Sequence, residues 1–273
     1  MNRDSELPGW RDRLLAAFWR KRWRGFLTLR RFLKPPRESG IRARTRYGGL
    51  FLLEPGDVID SHVLVDGFYE SEVLEAVRPF LGPGSVLWVI GANFGLHAIT
   101  AKRLHPEARV IAFEPSPRTA ARFIENCQLN GVEIDLHSYA LAARDAVLPF
   151  FLNSSGNLGM STLVPAGDAD YDHRILVPTR TAAGLVAEKF APAPTAVIVD
   201  AEGAEFEVLS GFRSLLSNPT LEIVVFEARN DFADSTEPEA FRALLRTAGF
   251  TLRRLDRREP TSHGLSNFAA TRA

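Results

Sequence analysis

Val86-Leu-Trp-Val-Ile-Gly91-Ala92-Asn93-Phe94-Gly95 is an unbroken apolar run that ends in a bend bracketed by two glycines, and a helical pattern follows it. A buried strand running into such a turn lets the backbone approach a ligand closely at the carboxyl edge of a sheet, beside the first turn of a helix. The next apolar run, Arg109 to Phe113, ends in Glu114-Pro115. An acidic side chain at that strand end, roughly twenty residues beyond the glycine turn, can accept hydrogen bonds from both hydroxyls of a ribose. Working outward, further strand cores fall at Ile134 to Tyr139, Ala196 to Val199 and Leu221 to Phe226, separated by helical stretches. Apolar strands bounded by helices imply a mainly parallel sheet buried on both faces. Phe250 to Leu255 and Ser266 to Arg272, joined through Pro260 and Gly264, add two strands and an antiparallel finish, making seven.

Upstream, the spacing predicts strands over 49–54 and 57–63 and a helix over 71–80. Three parts are expected: a basic aromatic segment over 1–47, a strand and helix cap over 48–84, and the main α/β domain over 85–273. Leu148 to Arg180, with Asn153, Gly156, Asn157, Gly159 and Ser161, interrupts the pattern as an inserted loop or hairpin. In the first segment Trp10, Trp19, Trp23, Phe26 and Phe32 alternate with Arg20, Lys21, Arg22, Arg24, Arg30 and Arg31. Two readings of it stand open: a helix lying on an anionic membrane surface through about residues 10–34, or one whose aromatics pack on the main domain or a partner.

The formal net charge is zero, so no long-range field draws the chain to nucleic acid. A single cysteine, Cys127, rules out an internal disulfide and any multi-cysteine zinc site, and in its helical pattern it reads as a small core residue. The six histidines show no paired metal spacing. With no long apolar run and no signal-peptide core, a cytoplasmic location is expected, with contact at the membrane surface if the basic segment binds there.

The bend lacks the middle glycine of G-x-G-x-x-G, which lets a pyrophosphate lie against the backbone. The tyrosine and lysine of a short-chain dehydrogenase are absent as well, so S-adenosylmethionine suits the crevice better than a nicotinamide dinucleotide. Gly67-Phe-Tyr-Glu70, Gly91-Ala-Asn-Phe-Gly95, Phe113-Glu-Pro-Ser-Pro117, Asn126 with Leu129-Asn-Gly131, Asp200-Ala-Glu-Gly-Ala-Glu205 and Val208-Leu-Ser-Gly211 occur in that order. In this the chain resembles the FkbM family of methyltransferases over about residues 48–250. The resemblance implies a Rossmann-like class I methyltransferase fold, with a mainly parallel seven-stranded sheet and an antiparallel last strand. It also implies S-adenosylmethionine held by Gly91, Ala92, Asn93, Gly95, Glu114 and Pro115. The acceptor it implies is a hydroxyl on a sugar, polyketide or other natural product. Where the family has Asp two residues before the first glycine, this chain has Val89.

Asp200 and Glu202 follow the strand Val197-Ile-Val199. Methyl transfer to a neutral alcohol needs its proton removed as the bond forms, and a carboxylate at the crevice can do that. Asp200 is the first candidate base and Glu202 the next. Tyr69, Glu70, His97, Asn157 and Ser161 are candidates for the acceptor side. Glu205 reads as a helix cap. No metal site is assigned; the minority alternative is Mg²⁺ gathered by Asp200, Glu202 and Glu227. The second function weighed is a catalytically impaired binding or scaffold protein docked through the basic segment.

Overall fold

A computed structural model describes residues 40–153, 158–165, 171–229, 232, 239–255 and 264–272, with isolated positions at 9, 12–14 and 17. The aromatic face expected over 10–34 and the candidate Asn157 lie outside the described residues.

The central sheet holds β3 (Val86–Ile90), β4 (Arg109–Phe113), β5 (Asp135–His137), β9 (Ala196–Val199), β10 (Ile223–Arg229), β11 (Phe250–Arg254) and β12 (Leu265–Arg272). Their order across the sheet is β11-β12-β10-β9-β3-β4-β5. β12 runs antiparallel to both β10 and β11, and the other neighbouring pairs are parallel. This is the expected Rossmann-like arrangement, with the antiparallel strand inserted beside the edge. The chain moves from β3 outward through β4 and β5, then returns to place β9 on the other flank of β3. The point where the order reverses therefore lies between β3 and β9, where open sheets of this kind leave a crevice at their carboxyl ends.

Both faces of the sheet are covered. Leu87, Val89, Ile198 and Val225 pack with Val73, Leu74, Ala98, Ile99 and Phe123 on one side. Trp88, Ile90, Val199 and Phe226 pack with Leu185, Leu209, Phe212 and Phe241 on the other. The split follows from the two-residue alternation of the strands. The helices that carry these contacts include α3 (Leu96–Leu104), α4 (Pro117–Asn130), α5 (Ala182–Ala187), α6 (Glu205–Ser210) and α7 (Glu239–Thr247). Cys127 on α4 is partly buried against the first cluster, and burial pushes its thiol up to about 12, away from reactivity.

The cap differs from the sequence expectation. β1 (Ile41–Arg44) pairs antiparallel with β2 (Leu50–Leu53), so a strand of the cap lies before residue 48. The strand expected over 57–63 is instead α1 (Val58–Asp66). The β-branched Val58, Ile59 and Val63 suggested a strand, but Asp57 accepts hydrogen bonds from the amides of Ile59 and Asp60, and Gly67 closes the helix in the left-handed region. Asp60 is then buried against Arg122 of α4, which the helical turn makes geometrically available. Tertiary pairing overrides strand propensity here. The last cap helix, α2 (Ser71–Val77), continues as a 3-10 turn over Arg78–Phe80.

Asn126 and Asn130, two of the residues that carry the resemblance, join the main domain to the cap. They stitch α4 to β2: the Asn126 Oδ1 accepts from the Leu52 amide at 2.8 Å, and Asn130 accepts from the Leu50 amide at 2.9 Å while donating to the Leu50 carbonyl and, locally, to the Asn126 carbonyl. Sequence distance hid this partner. The insertion is a small sheet: β6 (Ala140–Leu141), β8 (His173–Arg180) and β7 (Ala146–Leu152), in that order, with β7 and β8 forming an antiparallel hairpin. It stands over the carboxyl end of the main sheet.

Candidate functional site

The carboxyl ends of β3, β4 and β9 are tied together by backbone hydrogen bonds. Gly91 and Ala92 both donate to the Phe113 carbonyl, and the Asp200 amide donates to the Ile90 carbonyl at 3.0 Å. Gly91 has φ of 72°, and a Cβ there would lie 1.7 Å from the Asp200 carbonyl oxygen. The glycine is thus required first by the neighbouring strand end, which crosses where a side chain would stand. Gly95 (φ 95°) likewise leaves room for Ile99 and Phe123 rather than for a ligand.

These ends open into a cleft. Gly91, Asn93, Glu114, Pro115, Thr119, Asp200 and Ser161 line it together with apolar Ile90, Phe113, Leu141, Phe150, Leu158, Leu163 and Val208. No Lys or Arg lines it among the described residues. Of the residues proposed for the cofactor, Gly91, Asn93, Glu114 and Pro115 face the cleft, whereas Ala92 is buried in the core beside it. Val89 is buried in the same core cluster, paired in register with Ala112 and Ile198.

Glu114 is buried, and its two carboxylate oxygens accept from the Asn93 amide and the Ser116 amide, each at 2.8 Å. Burial raises its pKa while these amides oppose the shift. Each carboxylate oxygen has a second lone pair, so the side chain can still accept from two ligand hydroxyls. Asn93 holds its bend at φ 49° with its own Oδ1 accepting from the Phe94 amide. The apolar walls from the inserted sheet were not legible as site residues. Phe150, Leu158 and Leu163 carry no polar signal, and only the fold of the hairpin over the sheet brings them in.

A second group of acids adjoins the cleft. Asp200 and Glu227 follow the register-paired residues Val199 and Phe226, and α2 packs over β9, β10 and β12. Its N-cap, Glu70, stands at φ 48° and takes a hydrogen bond from the side chain of Asn267, the partner of Glu227 in β12. Tyr69 and Glu202 complete the group, Glu202 at φ 52°. Burial first, then Glu205 and Glu114, raises the Asp200 carboxyl up to about 7. Burial, then Asp200 and Glu227, raises Glu202 up to about 9. Glu70 is pushed up by burial and then by Asp200, and the Tyr69 phenol by burial and then by Glu70. The charged neighbours acting most strongly on these four are all acidic.

His97, at the start of α3, donates from Nε2 to the Glu70 carbonyl at 3.2 Å and meets the edge of Phe68. Burial lowers its pKa to about 4, so the ring is neutral. Glu205 caps its own loop, Oε1 accepting from the amides of Ala201 and Gly203. Ser161 accepts from the Asn153 amide and donates to the Leu158 carbonyl. Among the described residues no three His, Cys, Asp or Glu side chains gather as metal donors, and no helix is long and apolar enough to cross a membrane.

Residues 90–252 match the methyltransferase FkbM domain family. A hexuronic acid methyltransferase, AglP, of Haloferax volcanii is 30% identical over 169 residues, covering 62% of this chain and 66% of that protein. Methyltransferase sdnD of Sordaria araneosa is 30% identical over 217 residues, covering 67% of this chain and 79% of its own length. Methyltransferase 1 of Beauveria bassiana is 25% identical over 217 residues, 72% of this chain and 81% of that one. Among solved structures, a precorrin-6y C5,15-methyltransferase from Geobacter metallireducens GS-15 aligns over 84% of this chain and 100% of its own, at 14% identity and a TM-score of 0.49.

Proposed function

The chain belongs to the FkbM methyltransferase family, and from that premise we propose that it moves the methyl group of S-adenosylmethionine to a neutral hydroxyl oxygen on a sugar or other natural product. The observation that carries this is the cleft at the strand-order reversal, with Glu114 on one flank of Gly91, Asp200 on the other, and no Lys or Arg in its lining among the described residues. Glu114 suits the ribose hydroxyls, and the apolar walls suit an adenine. The missing Lys and Arg suit a cofactor without phosphates better than a dinucleotide.

When bound, S-adenosylmethionine supplies an electrophilic methyl carbon on a positively charged sulfur. Asp200, raised up to about 7, accepts the proton of the attacking hydroxyl; a base with its pKa near the working pH combines availability with proton affinity. Glu202, raised up to about 9, keeps its proton at neutral pH and donates a hydrogen bond to a second hydroxyl. Tyr69 and His97 border the acceptor as neutral groups. Cofactor and acceptor held in line account for much of the acceleration. Asp200, ionised when it acts as base, favours an uncharged acceptor, because a sugar carboxylate of the kind in the Haloferax relative's name would meet a like charge there. The segment before residue 40 serves as an address, to a membrane surface or a partner, outside the catalytic domain.

Calorimetric titration with S-adenosylmethionine, S-adenosylhomocysteine and a nicotinamide dinucleotide tests the cofactor. Saturable binding of the first two alone, weakened in Glu114→Gln, is the expected result. A folded chain that binds none of the three would favour the alternative of an impaired, scaffold-like domain. Mass spectrometry of neutral and uronic sugars after incubation tests the acceptor, with methylation of the neutral set expected.

A further inference from the structure

Asp57 lies outside every motif noted above, yet it touches two parts of the molecule at once. Its Oδ1 caps α1, accepting from the amides of Ile59 at 3.0 Å and Asp60 at 3.3 Å. Its Oδ2 accepts from the amide of Leu158 at 2.8 Å, across 101 positions of sequence. Leu158 opens the short 3-10 turn Leu158–Met160, and Leu158, Gly159, Ser161 and Leu163 line the cleft. A helix cap needs only one acceptor oxygen, as a serine supplies, so the second oxygen is free for another task.

The remaining ties of this wall come from elsewhere. Phe151 and Thr162 exchange backbone hydrogen bonds at 2.9 and 3.0 Å, and the Thr162 hydroxyl donates to the Ala201 carbonyl at 3.4 Å, just beyond Asp200. Ser161 bonds back to the Leu158 carbonyl. The wall is thus anchored to the main sheet at Thr162 and to the cap at Leu158. Asp57 is buried, with 5% of its surface exposed, and Leu158 is 8% exposed. A charge-assisted bond between two buried groups holds position more firmly than a neutral one.

We propose that Asp57 is a positioning residue for the cofactor: its second carboxylate oxygen fixes the Leu158–Ser161 wall against the bound nucleoside, making the amino-terminal cap part of the cofactor site. This rests on the cofactor reading above. Asp57→Ser keeps the helix cap and removes the reach to Leu158. Thr181→Ala is the control, because the Thr181 hydroxyl accepts from the Gly184 amide as the cap of α5 and lines no part of the cleft.

The full chain would be studied as wild type, Asp57→Ser, Asp57→Asn and Thr181→Ala, by thermal melting, hydrogen exchange and titration with S-adenosylhomocysteine. In both Asp57 variants the Leu158 amide should exchange faster without ligand, and affinity should fall by about tenfold, in line with a lost hydrogen bond to a charged group. KM for S-adenosylmethionine should rise with kcat little changed. Thr181→Ala should lower the melting temperature at least as much and leave affinity at the wild-type value. Unchanged exchange at Leu158, or equal affinity in a wild type that binds and a folded Asp57→Ser, overturns the proposal alone. A wild type that binds no S-adenosylhomocysteine overturns it together with the cofactor reading, while faster Leu158 exchange would still show the tie itself.

Discussion

Asp200→Asn should separate chemistry from binding. Its backbone is fixed by the Ile90 carbonyl on one side and by contact with Gly91 on the other, so an amide of the same shape leaves the strand end in place. Removing a general base of this kind lowers the rate by about 10² to 10⁴. The pH profile gives a sharper measure, because the Asp200 carboxyl titrates up to about 7. Such a group is about one-tenth ionised at about pH 6 and about nine-tenths ionised at about pH 8, so kcat/KM should climb close to tenfold over that range. The assay follows S-adenosylhomocysteine release across that range for both proteins, with the cofactor titrated in parallel. A variant that retains the wild-type rate, or that retains the rising limb at a reduced rate, refutes the assignment. The same shift has a sign in stability: a folded-state pKa above the ordinary 3.8 means the folded chain binds this proton more tightly. Its stabilising effect is present below that value and is lost as pH rises to about 7. Asp200→Asn should therefore melt at a higher temperature than wild type above neutral pH, even as it loses activity.

Gly91→Ala places a Cβ on the Asp200 carbonyl at a positive φ, so it should abolish cofactor binding and destabilise the fold by about 2 kcal/mol or more; ordinary binding in titration would show that the strand ends can part. Asn130→Ala leaves the Leu50 amide and carbonyl without their side-chain partner and should cost about 1–3 kcal/mol in urea unfolding, with affinity for S-adenosylhomocysteine unchanged in the fraction that is folded. Deleting residues 1–39 should preserve that affinity while binding to anionic vesicles falls, read by co-sedimentation; loss of cofactor binding would instead make the segment part of the site.

Much of the sheet was legible in the sequence because its signals are local. Apolar runs such as Val86–Ile90 and Arg109–Phe113 and the glycine bend after β3 report the elements directly. The acid at the end of β4 could be paired with that bend by spacing alone. What resisted was every feature whose cause lies far along the chain. The β-branched residues of α1 favour a strand by propensity until Asp60 meets Arg122. Asn126 and Asn130 resemble ordinary helix-end residues until β2 lies beside them. Phe150, Leu158 and Leu163 carry no polar mark and reach the cleft only because the hairpin folds over it.

By itself, then, the sequence determined the order of the core strands, the glycine bend after β3 and the acids at the strand ends, since backbone preference and two-residue alternation act within a few residues. The tertiary structure alone decided which acids share one environment. Glu70, Asp200 and Glu202 come from two separate stretches, and their raised pKa values arise first from burial and then from acidic neighbours that only the folded chain brings close. The same packing set Gly91 against the Asp200 carbonyl and Asp57 against Leu158, because a contact across a hundred residues is fixed by topology and leaves no periodic trace in the chain.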